Sequence, residues 1–319
     1  MSQHTGMKAV LAAMAANIAI AVMKLLAWLL TGASSMLAEA VHSMADCANQ
    51  ILLLIGAKGA KKQATRLHPF GFGRDRYLSA FLVSIILFSM GGLFACYEAF
   101  HKFEEVHAGH PNSLLESAWW WVPLVVIVGA IIAESLSLRT AVRESRPAKG
   151  SLSWVRFVRG TKSAELPVIL LEDTAALSGL TFALVGVGMT LLTGWGYWDA
   201  IGTAAIGLLL ILVAVILAEK TKSLLIGESA SEEEISKITS AISSTPGVEL
   251  IIDMKTIHLG PDEVLVAVKV AIESTATAEG VATIINAAED AVRSASTLVG
   301  PMYVEPDLWQ EPDQDSSEA

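Results

Sequence analysis

The sequence predicts an α-helical membrane protein with six transmembrane helices, followed by a C-terminal cytoplasmic α+β domain. Of its 319 residues, 53% are hydrophobic and only 17% are charged, whereas soluble domains have about 25% charged residues. The apolar residues form long runs, and about 20 such residues cross the hydrocarbon core of a bilayer. The last third of the chain instead combines short helix and strand patterns. This composition excludes a disordered chain and a disulfide-stabilised secreted fold.

Six apolar segments are each long enough to span a bilayer, and they lie at residues 9–31, 35–57, 77–100, 118–140, 166–193 and 197–218. The loops 58–76 and 139–162 are rich in Lys and Arg, whereas Lys102 is the single positively charged residue in the alternate loops. The positive-inside rule therefore places both termini in the cytoplasm.

The soluble part shows the element order αββαβ, with helices at 232–244 and 276–294 and strands at 248–258, 264–272 and 301–304. This order is typical of a small two-layer domain. Because so small a domain is marginal alone, we expect it to pair with a second copy. The chain then divides into a cytoplasmic segment, a six-helix transmembrane domain, a cytoplasmic domain and a disordered acidic tail, at residues 1–8, 9–222, 223–305 and 306–319. The sequence shows no basic face with interleaved aromatic residues, so nucleic-acid binding is not expected.

Ionisable residues inside the spans are candidates for function, because each costs about 2.5–3.5 kcal/mol to insert into a bilayer. They are Lys24, Glu39, His42, Asp46, Glu98, Glu134, Glu172, Asp173 and Asp199. We expect structural roles for Glu98, Glu134 and Asp199, which lie near predicted helix ends. Lys24 shares a helix face with Asn17, and we expect it to make a polar contact with another helix.

The second span carries a polar stripe. Glu39, His42, Asp46 and Asn49 follow one another at i, i+3, i+7 and i+10, which places them on one helix face. His42 and Asp46 could supply an imidazole nitrogen and a carboxylate oxygen to a metal ion; the alternative is a buried ion pair that only fixes helix packing. Cys47 points about 100° away from Asp46 and is expected to be an ordinary buried thiol.

The fifth span adds the adjacent carboxylates Glu172 and Asp173, of which only one can face a given point. Asp173 lies at a depth similar to that of Asp46, so the sequence predicts a divalent-metal site between the two spans. An imidazole with carboxylates favours Zn²⁺. More oxygen-rich coordination favours Mn²⁺ or Mg²⁺, and Fe²⁺, Co²⁺ and Ni²⁺ also remain open.

With these motifs in hand, the chain resembles the cation diffusion facilitator family of divalent-metal transporters. The resemblance rests on Ser34–Asp46, with its His42 and Asp46, on the stretch His68–Tyr77 before the third span, and on the αββαβ domain. The stretch from His68 to Lys102, together with Leu171–Leu177, is most similar to the branch that contains zinc transporter 9.

The resemblance implies a homodimer with ferredoxin-like cytoplasmic domains that exchanges a metal ion for protons across a bilayer. It implies no enzyme activity and no cofactor, with zinc or another divalent metal as the substrate. His42 and Asp46 match the second-helix ligands, and Asp173 with Gly179 matches the fifth-helix pattern. Ile169 stands where the family has a second histidine, so Glu172 or a water is expected to complete the site. An inner or plasma membrane is the expected location.

The remaining histidines do not match the family's additional metal sites. His68 has no matching metal ligands near it in the sequence, so we expect it to have a structural role. His258 is the single histidine of the cytoplasmic domain, so we expect this domain to dimerise without tightly held metal. Three histidines lie in the predicted outer loop, namely His101, His107 and His110. We expect them to be solvated, and weak metal capture is the alternative. Rival functions are an uncoupled channel, an intramembrane hydrolase that pairs His42 with Ser43, and a scaffold that binds no metal.

Overall fold

A computed structural model gives the backbone of residues 3–163 and 165–309 and the side chains of residues 17–163 and 165–309. The chain divides into two compact units. The first comprises the chain up to Lys58 and residues 76–222, and the second comprises residues 59–75 and the chain from Ser223 onward. The sequence placed a boundary at residue 222, but gave no sign that the loop 59–75 belongs with the second unit.

The first unit is helical. Its main helices are α1 (Gln3–Thr31), α2 (Ser34–Gly59), α3 (Asp75–Ile86), α4 (Phe94–His107), α6 (Val122–Lys149), α8 (Glu165–Thr193) and α9 (Tyr197–Ile226). Two short helices, α5 (Ser113–Glu116) and α7 (Trp154–Gly160), lie in the connecting loops. A π-helical segment, Leu87–Leu93, joins α3 to α4 without a break.

Within the described residues, four helical stretches are long and apolar enough to cross a membrane, namely Asp75–His107, Val122–Lys149, Glu165–Thr193 and Tyr197–Ile226. They overlap the last four predicted spans, although the helix Val122–Lys149 extends into the predicted loop 139–162. The prediction of a multi-pass helical membrane protein is confirmed. The described part of α1 contributes a shorter apolar stretch, Asn17–Thr31. At 26 residues α2 is about 39 Å long and sufficient to cross a bilayer. Its polar stripe makes it less apolar than the others.

The junction between α1 and α2 is held by a buried carboxylate. Gly32 has a φ of +62°, a conformation that favours glycine, and it ends α1. Asp199 of α9 then accepts hydrogen bonds from the backbone N–H of Ser34 at 2.7 Å and from Ser35 Oγ at 2.5 Å. A negative charge at a helix N-terminus is favourable, so Asp199 has the structural role that the sequence predicts.

The second unit is an α+β domain built from α10 (Glu232–Ser243), β1 (Val248–Gly260), β2 (Glu263–Ile272), α11 (Ala278–Ala295) and β3 (Val299–Asp307). The sheet order is β1-β2-β3, with β1 antiparallel and β3 parallel to β2. Alternate residues of β2 are buried against the two helices, where they meet Ile238, Ile242 and Val292. The predicted αββαβ order is confirmed.

The ends of the chain differ in part from the predicted segments. The last strand is longer than expected, so Pro306 and Asp307 belong to β3 rather than to an acidic tail. Leu308 and Trp309 follow the strand, and residues 310–319 of the predicted tail lie outside the described residues. At the other end, α1 begins at Gln3 within the segment 1–8, of which residues 1 and 2 are outside the described part.

One ionisable side chain links the two helices of this domain. Glu234 of α10 accepts hydrogen bonds from Lys237 Nζ at 2.7 Å and from Ser296 Oγ, just after α11, at 2.5 Å. Its partial burial alone would raise the pKa of Glu234, but these donors hold the pKa below its usual value of 4.5. The folded domain therefore favours the ionised carboxylate.

Candidate metal site

The polar stripe of α2 faces the interior of the helical unit. Glu39, His42 and Asn49 are almost completely buried, and 18% of the Asp46 side chain is exposed. His42 Nδ1 lies 3.6 Å from Asp46 Oδ1. Within the described residues, neither ring nitrogen of His42 nor Oδ1 of Asp46 has a hydrogen-bond partner. Buried polar atoms left in this way are costly, and a bound ion is one means of satisfying them.

An internal cation occupies the first part of the stripe. Lys24 Nζ of α1 donates hydrogen bonds to Glu39 Oε2 at 2.7 Å and to Ser43 Oγ at 2.9 Å, and both charged side chains are fully buried. The predicted polar contact between Lys24 and another helix is confirmed. Because Glu39 already has a positive partner, it is not needed as a ligand. Ser43 accepts its hydrogen bond from Lys24, so nothing in this contact supports a serine nucleophile paired with His42.

A cavity of about 620 Å³ runs beside the other end of the stripe. Asp46 lines it from α2, and Glu172 and Asp173 line it from α8, so three of the four predicted ligands share one space. His42 is not among the lining residues, but it contacts Asp46, which is one of them. The other polar lining residues are Asn17, Gln50, Arg76, Glu134, Ser137, Glu144 and Glu165.

The adjacent carboxylates of α8 are held by two different helices. Asn49 Nδ2 of α2 donates a 2.6 Å hydrogen bond to Glu172 Oε1, and Ser137 Oγ of α6 donates a 3.0 Å hydrogen bond to Asp173 Oδ2. This division follows from the angle of about 100° between successive helical residues. The carboxylates therefore line the same cavity from different directions.

The candidate ligand side chains do not converge on one metal position. In the described part of the chain, no three His, Cys, Asp or Glu side chains are placed so that they could hold a metal ion. Ile169, which stands where the resembled family has a second histidine, also lines the cavity. The arrangement is a carboxylate-rich cavity beside a buried imidazole, and its side chains must move before three of them can contact one ion.

Sequence reasoning missed the contribution of Glu134. Its position near a predicted helix end suggested a structural role, but its side chain lines the cavity with Asp46 and Asp173. The available signal was its place in the fourth span, three residues before Ser137, which puts both on one face of α6.

Residues outside the cavity have local roles. His68 packs on the ring of Phe72, with ring centroids 4.6 Å apart, and the buried His258 places Nδ1 3.1 Å from Gly260 O. The prediction that His101 and His107 lie in a loop is wrong, because α4 continues to His107. His101 Nδ1 lies 3.8 Å from Glu105 Oε1, one turn along the same helix. Cys47 is a free, partly buried cysteine.

Comparison with known proteins identifies the family. The family model described as the cation efflux transmembrane domain matches residues 10–226. The chain belongs to the cation efflux family. This confirms the resemblance based on the motifs at 34–46 and 68–77.

Two curated relatives illustrate the match. The proton-coupled zinc antiporter SLC30A9, mitochondrial, of Homo sapiens is 32% identical over 240 residues, which cover 74% of this chain and 41% of that protein. The cation-efflux pump FieF of Klebsiella pneumoniae is 26% identical over 254 residues, which cover 80% of this chain and 77% of that protein. The expected similarity to the zinc transporter 9 branch is thus confirmed. Both relatives are named as transport proteins, and the prediction that the chain is not an enzyme agrees with these names.

The chain spans about two fifths of the length of the SLC30A9 relatives that it matches. Among solved structures, a variant of the MamM C-terminal domain is 22% identical, covering 25% of this chain and 94% of that chain at a TM-score of 0.24.

Proposed function

We propose that the chain exports a divalent metal cation, zinc in the first place, from the cytoplasm in exchange for protons. The observation that carries the proposal is the cavity shared by Asp46, Glu172 and Asp173. Next to it lie polar atoms of His42 and Asp46 that have no hydrogen-bond partner within the described residues. Carboxylates from two helices with an imidazole beside them form a donor set suited to Zn²⁺. Mn²⁺, Fe²⁺, Co²⁺ and Ni²⁺ are the alternative substrates, because affinity alone does not select among them.

Proton coupling follows from competition for the same atoms. Metal binding needs a neutral His42 and ionised carboxylates at Asp46 and Asp173, and protons compete for each of these groups. If the site opens alternately to the two sides, an inward proton gradient displaces the metal outward. No covalent step and no cofactor are required, and Glu172 or a water completes the coordination in place of the missing histidine.

The direction of access follows from the helix ends. The cavity runs toward the ends of α2, α6 and α8 that adjoin the two basic loops, and the positive-inside rule assigns these loops to the cytoplasm. We therefore propose that both termini are cytoplasmic and that the cavity faces inward. We further propose an inner or plasma membrane as the location, the domain limits 9–222 and 223–305, and a homodimer formed through the second domain.

The proposal is tested with purified protein in proteoliposomes that contain a pH-sensitive dye. Zinc added to the outside should drive proton movement in the wild type, and Asp46→Ala or Asp173→Ala should abolish it. Glu116→Gln removes an exposed carboxylate of α5 and should leave the flux unchanged. Unchanged flux in both cavity variants would rule out the proposed site.

A pH gradient then separates the antiporter from an uncoupled channel. An antiporter should accumulate zinc against its own concentration gradient when protons flow the other way, which a channel cannot do. The same assay, repeated with Mn²⁺, Fe²⁺, Co²⁺ and Ni²⁺ at equal concentrations, orders the candidate substrates.

A further inference from the structure

One end of the cavity lies among the ends of the helices that line it, and we call this end its mouth. Four of its lining residues lie at or near the ends of their helices: Ala57 of α2, Arg76 of α3, Glu144 of α6 and Glu165 of α8. Asp173 lies eight residues after Glu165, which corresponds to about 12 Å along α8. The cavity therefore extends from the deep carboxylates to a set of charged side chains at its opening.

An ion pair crosses this mouth. Arg76 Nε donates to Glu165 Oε1 at 2.5 Å, and Arg76 Nη2 donates to Glu165 Oε2 at 2.8 Å. About a fifth of each side chain remains exposed, 22% for Arg76 and 18% for Glu165. Among the described residues that line the cavity, Arg76 supplies the positive charge, and Glu144 is an exposed carboxylate at the same level.

The geometry points to a role for this pair in cation capture. We propose that Arg76 and Glu165 set the rate at which a divalent cation enters the cavity, by fixing the net charge of its mouth. The inference rests on the proposed transport function. A fork-shaped pair neutralises Glu165 and leaves Glu144 to attract cations. Charges at the rim of a binding cleft act mainly on the rate of association, and their effect is screened by salt.

The charge of the mouth can be changed in both directions. Arg76→Gln removes the cation that neutralises Glu165, while Ser163 Oγ still donates to Glu165 Oε2 at 3.1 Å, and it should lower the KM for zinc transport about threefold to fivefold. Glu165→Gln removes the negative charge that faces Arg76 and should raise the KM by a similar factor, about threefold to fivefold. The double variant has the net charge of the wild type and should return the KM to within about twofold of it.

Salt dependence and two further variants distinguish capture from a structural role. The Debye length falls from about 10 Å at 0.1 M salt to about 3 Å at 1 M, so the KM differences should largely disappear at high salt. Arg76→Lys keeps the charge and should keep the KM. Arg159→Gln removes an exposed Arg of α7 outside the cavity and should have no effect.

The experiment measures initial rates of zinc uptake into proteoliposomes for all six proteins at both salt concentrations. The inference is overturned if the two single variants shift the KM in the same direction, if the double variant is the worst, or if the shifts do not depend on salt. A wild type that moves no divalent cation at all would overturn the proposed function itself, and that result is separate from a failure of the charge pattern.

Discussion

The buried ion pair between α1 and α2 allows a demanding test of how the helical unit is held together. Lys24→Met removes the ammonium that donates to Glu39 Oε2 and Ser43 Oγ. The other oxygen of Glu39, Oε1, already has no hydrogen-bond partner within the described residues. The substitution would therefore leave a fully buried carboxylate with neither oxygen satisfied.

The expected cost is large. Removing one partner of a buried ion pair destabilises a protein by about 3–5 kcal/mol. For a folded unit of about 200 residues, 1 kcal/mol lowers the melting temperature by about 2–4 °C, so the loss should be about 6–20 °C. The double variant Lys24→Met/Glu39→Met replaces both charges by apolar side chains of similar length, and such replacements are often nearly neutral.

The assay is thermal unfolding of the detergent-solubilised protein, followed through the fluorescence of its eight tryptophans. The double variant should melt at least several degrees above the single variant Lys24→Met. If Lys24→Met melts like the wild type, or if the double variant is less stable than the single one, the ion pair does not have the role inferred from its burial.

Three further substitutions probe other contacts. Asp199→Ala removes the carboxylate that accepts from Ser35 Oγ and the start of α2, and it should cost about 2–3 kcal/mol in the same unfolding assay. Gly179→Ala places a Cβ 2.8 Å from Glu39 Oε1, so it should cost about 1–3 kcal/mol in the wild type and less in a Glu39→Ala background. Glu234 has a lowered pKa, so its ionised form stabilises the folded domain above pH 4.5, and this contribution is lost as the pH falls through the folded-state pKa. The stability difference between wild type and Glu234→Gln, measured by denaturant unfolding, should therefore shrink below that pH, whereas a constant difference would contradict the assignment.

Periodicity made much of this protein predictable. The helical period alone places Glu39, His42, Asp46 and Asn49 on one face, and all four side chains are at least largely buried. The strand predicted at 264–272 is likewise present as β2. These features depend on local spacing, which the sequence displays directly.

Features that depend on close packing between distant segments were not predictable in the same way. The π-helical segment Leu87–Leu93 coincides with a tight approach between helices, since a Cβ at Gly92 would lie 3.1 Å from the backbone nitrogen of Ile211. This contact cannot be predicted from the composition of the segment. Likewise, the position of Glu134 near the end of a predicted span did not reveal the cavity that it lines.

The sequence predicted which residues belong to the candidate site better than it predicted how their side chains are arranged. Asp46, Glu172 and Asp173 were predicted from their cost in a bilayer, and they line one cavity. Their hydrogen bonds to Asn49 and Ser137 depend on side-chain conformations that spacing does not determine. The role of these residues as metal ligands remains a prediction.

Equilibrium zinc binding to the purified protein tests the central proposal most directly, because it requires neither a gradient nor coupling. Bound zinc should be measured by elemental analysis after dialysis, in the wild type and in Asp46→Ala/Asp173→Ala. The proposal predicts that the double variant loses one zinc ion per chain while still folding with the melting behaviour of an intact protein. The same zinc content in both folded proteins would contradict it.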